Sequence, residues 1–264
     1  MPSLQLRLAA AFDTLDMVSV AKEDLPLTID QAENVRDSAA ACLGEIAAWK
    51  LGATMPSVRS ALGLSSAFFG VIPSFRLFGG GAQLNAIQAR LRGVECEYGF
   101  RLARDVRAGD DKMGVRAFRE LFASVHPAIE IPGTRFERLG CYGGLGLVAD
   151  FGAAGALVVG KGRALDEPSR LDKMRVHLRI SGDEVAEGCA GDIDDGAFGP
   201  LREFVRSALA RGYSPKAGQI VVTGSCSGYV VAPEGAEVVA EFRGLDASVS
   251  VRFAEAHRAS GPLQ

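Results

Sequence analysis

The chain has 264 residues, 48% of them hydrophobic and 23% charged, with a formal net charge of −3 at pH 7. That length can bury roughly three quarters of the unfolded surface, in one large domain or two modest ones. The charge balance leaves no basic footprint and sets nucleic acid aside as a partner, and the composition is that of an ordinary globular protein. Five cysteines (Cys42, Cys96, Cys141, Cys189 and Cys226) are scattered, odd in number and without C-x-x-C spacing. They read as reduced thiols of a cytoplasmic protein, not as a disulfide frame or a zinc site. Asp13 and Asp16 follow soon after the first apolar residues, so neither a signal peptide nor a membrane span is expected.

In chain order, Leu4, Leu8, Ala11, Leu15 and Val18 fit one face of an opening amphipathic helix. Pro26 interrupts, and Thr28 with Gln31 three residues later makes a capping-box signature. Ala32, Val35, Ala39, Cys42 and Ile46 then carry helical spacing up to Trp49, and Gly52 ends it within a short strand or turn. Residues 65–90 are irregular, with three glycines at 79–81. A strand over Val94–Phe100 is followed by a polar loop at 107–111. Val115, Phe118, Phe122 and Val125 predict a helix leading into a second strand that ends at Pro132. Residues 143–160 alternate small and aliphatic side chains and end in a buried strand at 156–159. A hairpin spans 176–187, and Pro200 and Gly212 bracket a helix carrying Leu201, Val205 and Leu209. Residues 219–253 are strand after strand. Helices early and strands late predict an α+β fold, with a helical N-terminal portion (1–64) packed on a β-rich domain of mixed sheets (65–264).

Two of these strands carry acid where apolar residues are expected. On Val94–Phe100, Val94, Cys96, Tyr98 and Phe100 share one face, while Glu95 and Glu97 point together to the other with Cα atoms roughly 6.6 Å apart. Two like charges so placed repel unless water or a cation lies between them. Glu130 stands alone in an apolar run, where an unpaired buried carboxylate costs several kcal/mol. Three glutamates from two strands suit a hard divalent cation such as Mg²⁺ or Mn²⁺, although an E-x-E pair also occurs on solvated sheet edges. Lys50, between Trp49 and Leu51, sits in an apolar setting where a lysine pKa tends to fall.

Other patterns compete. Gly144-Leu145-Gly146-Leu147-Val148-Ala149 matches a loose dinucleotide fingerprint, but Gly152 and Gly155 interrupt the helix that should follow, so the glycines read as structural. Gly224-Ser225-Cys226-Ser227-Gly228 resembles a nucleophile elbow with Asp246 and His257 following in triad order, which defines a rival cysteine hydrolase. An elbow must turn from strand into helix, and residues 229–233 read as strand and turn. His177 and His257 read as structural or solvated. His126, four residues before Glu130, reaches the same face only if its strand stays regular past Pro127, and it is not counted as a ligand.

The segments WKLGAT (49–54), VECEYGF (94–100), HPAIEIPGTRF (126–136), VADFGAAGALVVG (148–160), KAGQIVVTGSCSG (216–228) and GLDASVSVRF (244–253) together resemble the fumarylacetoacetate hydrolase superfamily, in its 2-keto-4-pentenoate hydratase and 4-oxalocrotonate decarboxylase branch. The resemblance implies that Glu95, Glu97 and Glu130 hold Mg²⁺ or Mn²⁺. It also implies that the ion chelates a 2-keto acid and stabilises its enolate as a Lewis acid. Lys50 would move protons in enol–keto conversion, and Arg135, Thr223 and Ser225 would bind the substrate carboxylate, Arg135 having a structural alternative. The implied protein is a hydratase or decarboxylase that forms a homo-oligomer. Carbon–carbon hydrolysis, tautomerisation, or 2-keto-acid binding without turnover are the alternatives. Three departures bear on the chemistry: Ala48 replaces a glycine, Phe151 replaces an asparagine, and Ser74 and Phe75 stand where acidic residues normally partner the lysine. A surround of Phe68, Phe69 and Phe75 would then lower the Lys50 pKa.

Overall fold

The computed structural model describes residues 2–165, 171, 175–192 and 196–255. Helices α1 (Leu4–Ala10), α2 (Ile29–Ala40) and α3 (Pro56–Leu62) come early, together with strand β1 (Ile46–Gly52). There follow β2 (Phe68–Pro73), β3 (Leu77–Gly79), β4 (Ala82–Leu84), β5 (Gly93–Leu102), α4 (Val115–Arg119), β6 (Phe122–Pro132), α5 (Gly143–Ala149) and β7 (Ala154–Val159). The chain ends with β8 (Arg163–Ala164), the hairpin β9 (Arg175–Ile180) and β10 (Asp183–Cys189), α6 (Phe198–Ala210), β11 (Ile220–Val222), β12 (Val230–Val231), β13 (Glu237–Phe242) and β14 (Ala247–Phe253).

The strands form two mixed sheets, as the α+β reading predicts. The larger runs β2-β1-β11-β5-β6-β7-β3, with β12 on β5 and β8 on β6; the smaller runs β10-β9-β13-β14-β4. Pairings β1/β11, β3/β7 and β14/β4 are parallel and the others antiparallel. The apolar face of β5 meets the smaller sheet, where Tyr98 stands edge-on to Phe242 at 5.0 Å between ring centroids. Because β5 and β6 are covered on both faces, both are buried along nearly their whole length instead of alternating.

Several local expectations change. The opening helix ends at Ala10 and leaves Leu15 exposed. Residues 65–90, expected to be irregular, carry β2, β3 and β4 because they pair with β1, β7 and β14. The second helix does not run to Trp49. Gly44, in the left-handed region at φ 83°, turns the chain just beyond the end of α2, and Ile46–Gly52 pairs with β2 and β11 as a strand. The helical spacing of Cys42 and Ile46 is overridden by sheet pairing. The Thr28 cap does form, its Oγ1 accepting from Gln31 N at 3.2 Å. Phe122 and Val125 lie in β6, leaving α4 little more than one turn. Conversely, the glycine-rich stretch after Tyr142 opens as helix α5, because contact with its surroundings outweighs glycine's poor propensity. A Cβ on Gly144 would lie 2.4 Å from Leu62 O, so only glycine admits that approach.

Candidate metal centre

The β5/β6 register builds the site. Glu95 lies directly opposite Glu130 and Glu97 opposite Ala128, so all three glutamates project from one face of the large sheet. Their carboxylate oxygens come within 4.8 Å of one another. Glu97 and Glu130 are fully buried. Glu97 Oε2 accepts a hydrogen bond from Gly224 N at 2.7 Å, whereas Glu97 Oε1 and both Glu130 oxygens accept none. Lys50 Nζ is 3.7 Å from Glu130 Oε1, an ion pair too long for a hydrogen bond.

Buried carboxylate oxygens without donors are costly, and three carboxylates facing one another more so. An oxygen-only donor set of this kind fits Mg²⁺ or Mn²⁺, which take carboxylate oxygens and keep room for other ligands. His126 takes no part, since its ring is held by Ser124 Oγ at 2.9 Å and Gly160 O at 3.0 Å.

The electrostatics follow. Burial, then repulsion from Glu95, pushes the Glu97 carboxyl up to about 8, against the opposing pull of Lys50 and the Gly224 N–H. Glu130 is raised by burial, with Lys50 opposing and the other two glutamates adding to the rise. Burial pulls Lys50 down, but attraction to Glu130, Glu95 and Glu97 wins and leaves its pKa raised. The expected lowering by a phenylalanine surround is therefore corrected. Of the three rings only Phe68 lines the site; Phe69 packs on Trp49 and Arg36, and Phe75 is exposed beside Phe12.

Raised carboxylate pKa values mean that protons must leave before a cation can bind, so affinity rises with pH until the groups are ionised. Below pH 8 the metal-free protein should bind Mn²⁺ about tenfold more tightly per pH unit for each proton displaced. Titration calorimetry in buffers of different ionisation enthalpy checks this; pH-independent affinity between pH 6 and 8 would contradict it.

A cavity of about 220 Å³ opens beside the cluster, with Lys50 and Glu95 in its wall. The T-G-S turn contributes differently from expectation. The Thr223 hydroxyl is buried against Tyr98 O at 3.4 Å, while Gly224 and Ser225 line the cavity and Ser225 Oγ is buried without a hydrogen-bond partner.

Arg135 is not brought to the cavity wall. It is buried, and its side chain donates to Asp150 Oδ1 (2.5 Å), Ala154 O (2.6 Å), Gly133 O (3.0 Å) and Asp150 O (2.8 Å). Those bonds clamp the turn Phe151-Gly152-Ala153, three successive residues with positive φ. Gly152 and Ala153 line the cavity. The strain of two non-glycine residues there, about 1–3 kcal/mol each, is offset by this clamp. Gly70 makes room for the turn, since a Cβ on it would lie 1.9 Å from Phe151 O. Arg135 thus takes its structural alternative.

Sequence reasoning missed Asp150, Thr54 and Tyr229. Tyr229 lines the cavity, and its phenol is raised by burial and then by Glu95 and Glu130. Asp150 and Thr54 lie within the family-like segments 148–160 and 49–54, but nothing local in those segments assigns them a role, and Tyr229 stands just outside the segment 216–228.

The elbow geometry is absent at Cys226. Its N–H donates to Cys96 O at 2.9 Å, the chain continues into β12, and Asp246 is exposed beside Arg163. His257 lies outside the described residues.

No protein-family model matches the chain. Among solved structures, it is similar to 4-oxalocrotonate decarboxylase from Pseudomonas putida G7, complexed with magnesium and adipate, at 19% identity and TM-score 0.83. That match covers 94% of this chain and 97% of the other. Fumarylpyruvate hydrolase from Pseudomonas aeruginosa, in complex with Mn²⁺ and pyruvate, matches at 16% identity and TM-score 0.59, over 79% of this chain and 89% of that one. The chain shares the fold of these enzymes, and the likeness to the decarboxylase runs over nearly the whole of both chains. Among the described residues, no helix is long and apolar enough to cross a membrane.

Proposed function

We propose that the protein is a divalent-metal-dependent enzyme acting on a 2-keto acid, as a hydratase or decarboxylase. The observation that carries this reading is the set of three converging carboxylates, two of them buried with orphaned oxygens, beside a buried lysine. Glu95, Glu97 and Glu130 would hold Mg²⁺ or Mn²⁺, which when bound supplies Lewis acidity toward a carbonyl oxygen.

The remaining work falls to the chain. Gly224 N–H fixes the Glu97 carboxylate, and Lys50 is held by Glu130 where it can pass a proton to or from the carbon beside a 2-oxo group. Ser225 Oγ, with its hydrogen-bonding capacity unused, is the hydroxyl we assign to the substrate carboxylate. Ser74 and Phe75 are exposed and do not line the cavity, so Glu130 serves as the carboxylate partner of Lys50. The match over nearly the full chain to the decarboxylase, against about four fifths to the hydrolase, favours the lyase reading over carbon–carbon hydrolysis or tautomerisation.

The experiment follows a panel of 2-keto acids by ultraviolet absorbance. A chelator should abolish turnover, Mg²⁺ or Mn²⁺ should restore it, and Cys226→Ser should leave it largely intact. Chelator-resistant turnover that is lost in Cys226→Ser would instead favour the cysteine hydrolase. Binding of 2-keto acids without turnover of any would leave a binding protein.

A further inference from the structure

The cavity wall is divided by polarity. Among the described residues its charged members are Glu95, of the carboxylate cluster, and Lys50, paired with Glu130 of that cluster. The hydroxyl residues Thr54, Ser225 and Tyr229 also line it, and the other side chains of the wall are apolar. Val58 and Leu62 come from α3, Phe68 from β2, Leu139 from the loop after β6, and Leu147 from α5. Two stretches far apart in sequence, 58–68 and 139–147, thus supply hydrocarbon to one small space. Val58 and Leu139 remain 40% and 38% exposed, apolar surface that a bound hydrocarbon would cover.

Among the described residues, no arginine or histidine lines this cavity. Arg59, on the same helix as Val58, donates instead to Ala53 O and Thr54 O, each at 3.2 Å. It lines a separate hollow of about 490 Å³ that shares only Thr54 with the cavity. Arg202 in that hollow is likewise spent on Asp111 O and Met113 O.

Resting on the 2-keto-acid reading of this same site, we infer that the substrate's end remote from its 2-oxo-carboxylate group is a short hydrocarbon, not a second carboxylate. That keeps the hydratase reading and sets aside decarboxylation, a reaction that reaches an enolate of the chelated 2-oxo acid only by losing a remote carboxylate. A carboxylate placed among Leu62, Phe68 and Leu147 would lose its hydration without gaining a cation, because the one cation in the wall, Lys50, is paired with Glu130. An alkyl or vinyl tail gains by leaving water. The volume, below the ~300–1,000 Å³ usual for drug-sized ligands, fits a tail of a few carbons.

The matched pair 2-oxohexanoate and 2-oxoadipate tests this, since they share chain length and differ only in ending with methyl or carboxylate. With saturating Mn²⁺, calorimetry should show 2-oxohexanoate binding at least about tenfold more tightly, because a pocket lacking the right partner rejects a charge strongly. Leu139→Arg, at a partly exposed position that tolerates the change, should narrow or reverse that preference by supplying a cation. Equal or tighter binding of 2-oxoadipate to the wild type overturns the inference alone. If that preference is lost in Arg59→Ala, the tail site is the arginine-lined hollow. Binding of neither acid overturns the 2-keto-acid reading and this inference with it.

Discussion

Glu97→Ala should abolish binding of Mg²⁺ and Mn²⁺ and, with it, turnover. Glu97 is the carboxylate whose orientation is fixed, by the Gly224 N–H, and it stands two residues along β5 from Glu95, whose register partner is Glu130. Its removal leaves two carboxylates that must share an ion without the anchored one. Losing an outer partner of a metal ligand already costs 10–100-fold in affinity, so losing the ligand should cost at least about 100-fold. Thermal unfolding reads this directly. At Mn²⁺ about 100 times Kd, the wild type gains ~2.7 kcal/mol, or roughly 5–10 °C for a chain of this size. The variant should gain almost nothing. Its metal-free form should melt close to the wild type, because the lost packing is offset by removing a buried, repelled carboxylate. An unchanged metal-induced shift in Glu97→Ala would remove this residue from the metal site.

Lys50→Met should cut turnover by roughly 10²–10⁴-fold, the usual contribution of a positioned acid–base group. Methionine keeps most of the lysine's volume in the buried β1 position but carries no proton. Metal binding should persist or tighten, since the ammonium 3.7 Å from Glu130 repels an incoming cation. Binding of a 2-keto acid should persist as well. That combination separates proton transfer from loss of the metal. Turnover that survives the change would exclude Lys50 as the acid–base group.

Much of the site could be read from the chain because it lies on strands. The period of two puts Glu95 and Glu97 together, and the lone Glu130 in an apolar run signals a buried charge needing a partner. That Glu130 faces Glu95 depends on the β5/β6 register, which no local pattern specifies. Lys50 stands out in the sequence between Trp49 and Leu51, and the family resemblance supplies its role, but its surroundings differ from the expected ones. Nearby aromatic residues in sequence suggested an apolar setting, whereas the sheet carries the side chain across to three carboxylates. Arg135 looked like a substrate ligand because its partner Asp150 is fifteen residues away, and the pair acts on a turn whose strain appears only in the backbone. At the T-G-S segment attention fell on hydroxyls, yet the Gly224 N–H is what holds Glu97, and backbone donors carry no sequence signature.

The central claim is that the three glutamates hold one divalent ion open to a 2-keto acid. Its most direct test is electron paramagnetic resonance of Mn²⁺ titrated into the metal-free protein, first alone and then with pyruvate. The account predicts loss of the free Mn²⁺ signal with one site per chain, and a further change in the bound spectrum when pyruvate is added. A free Mn²⁺ signal that persists at stoichiometric protein, or a bound spectrum indifferent to pyruvate, would contradict it.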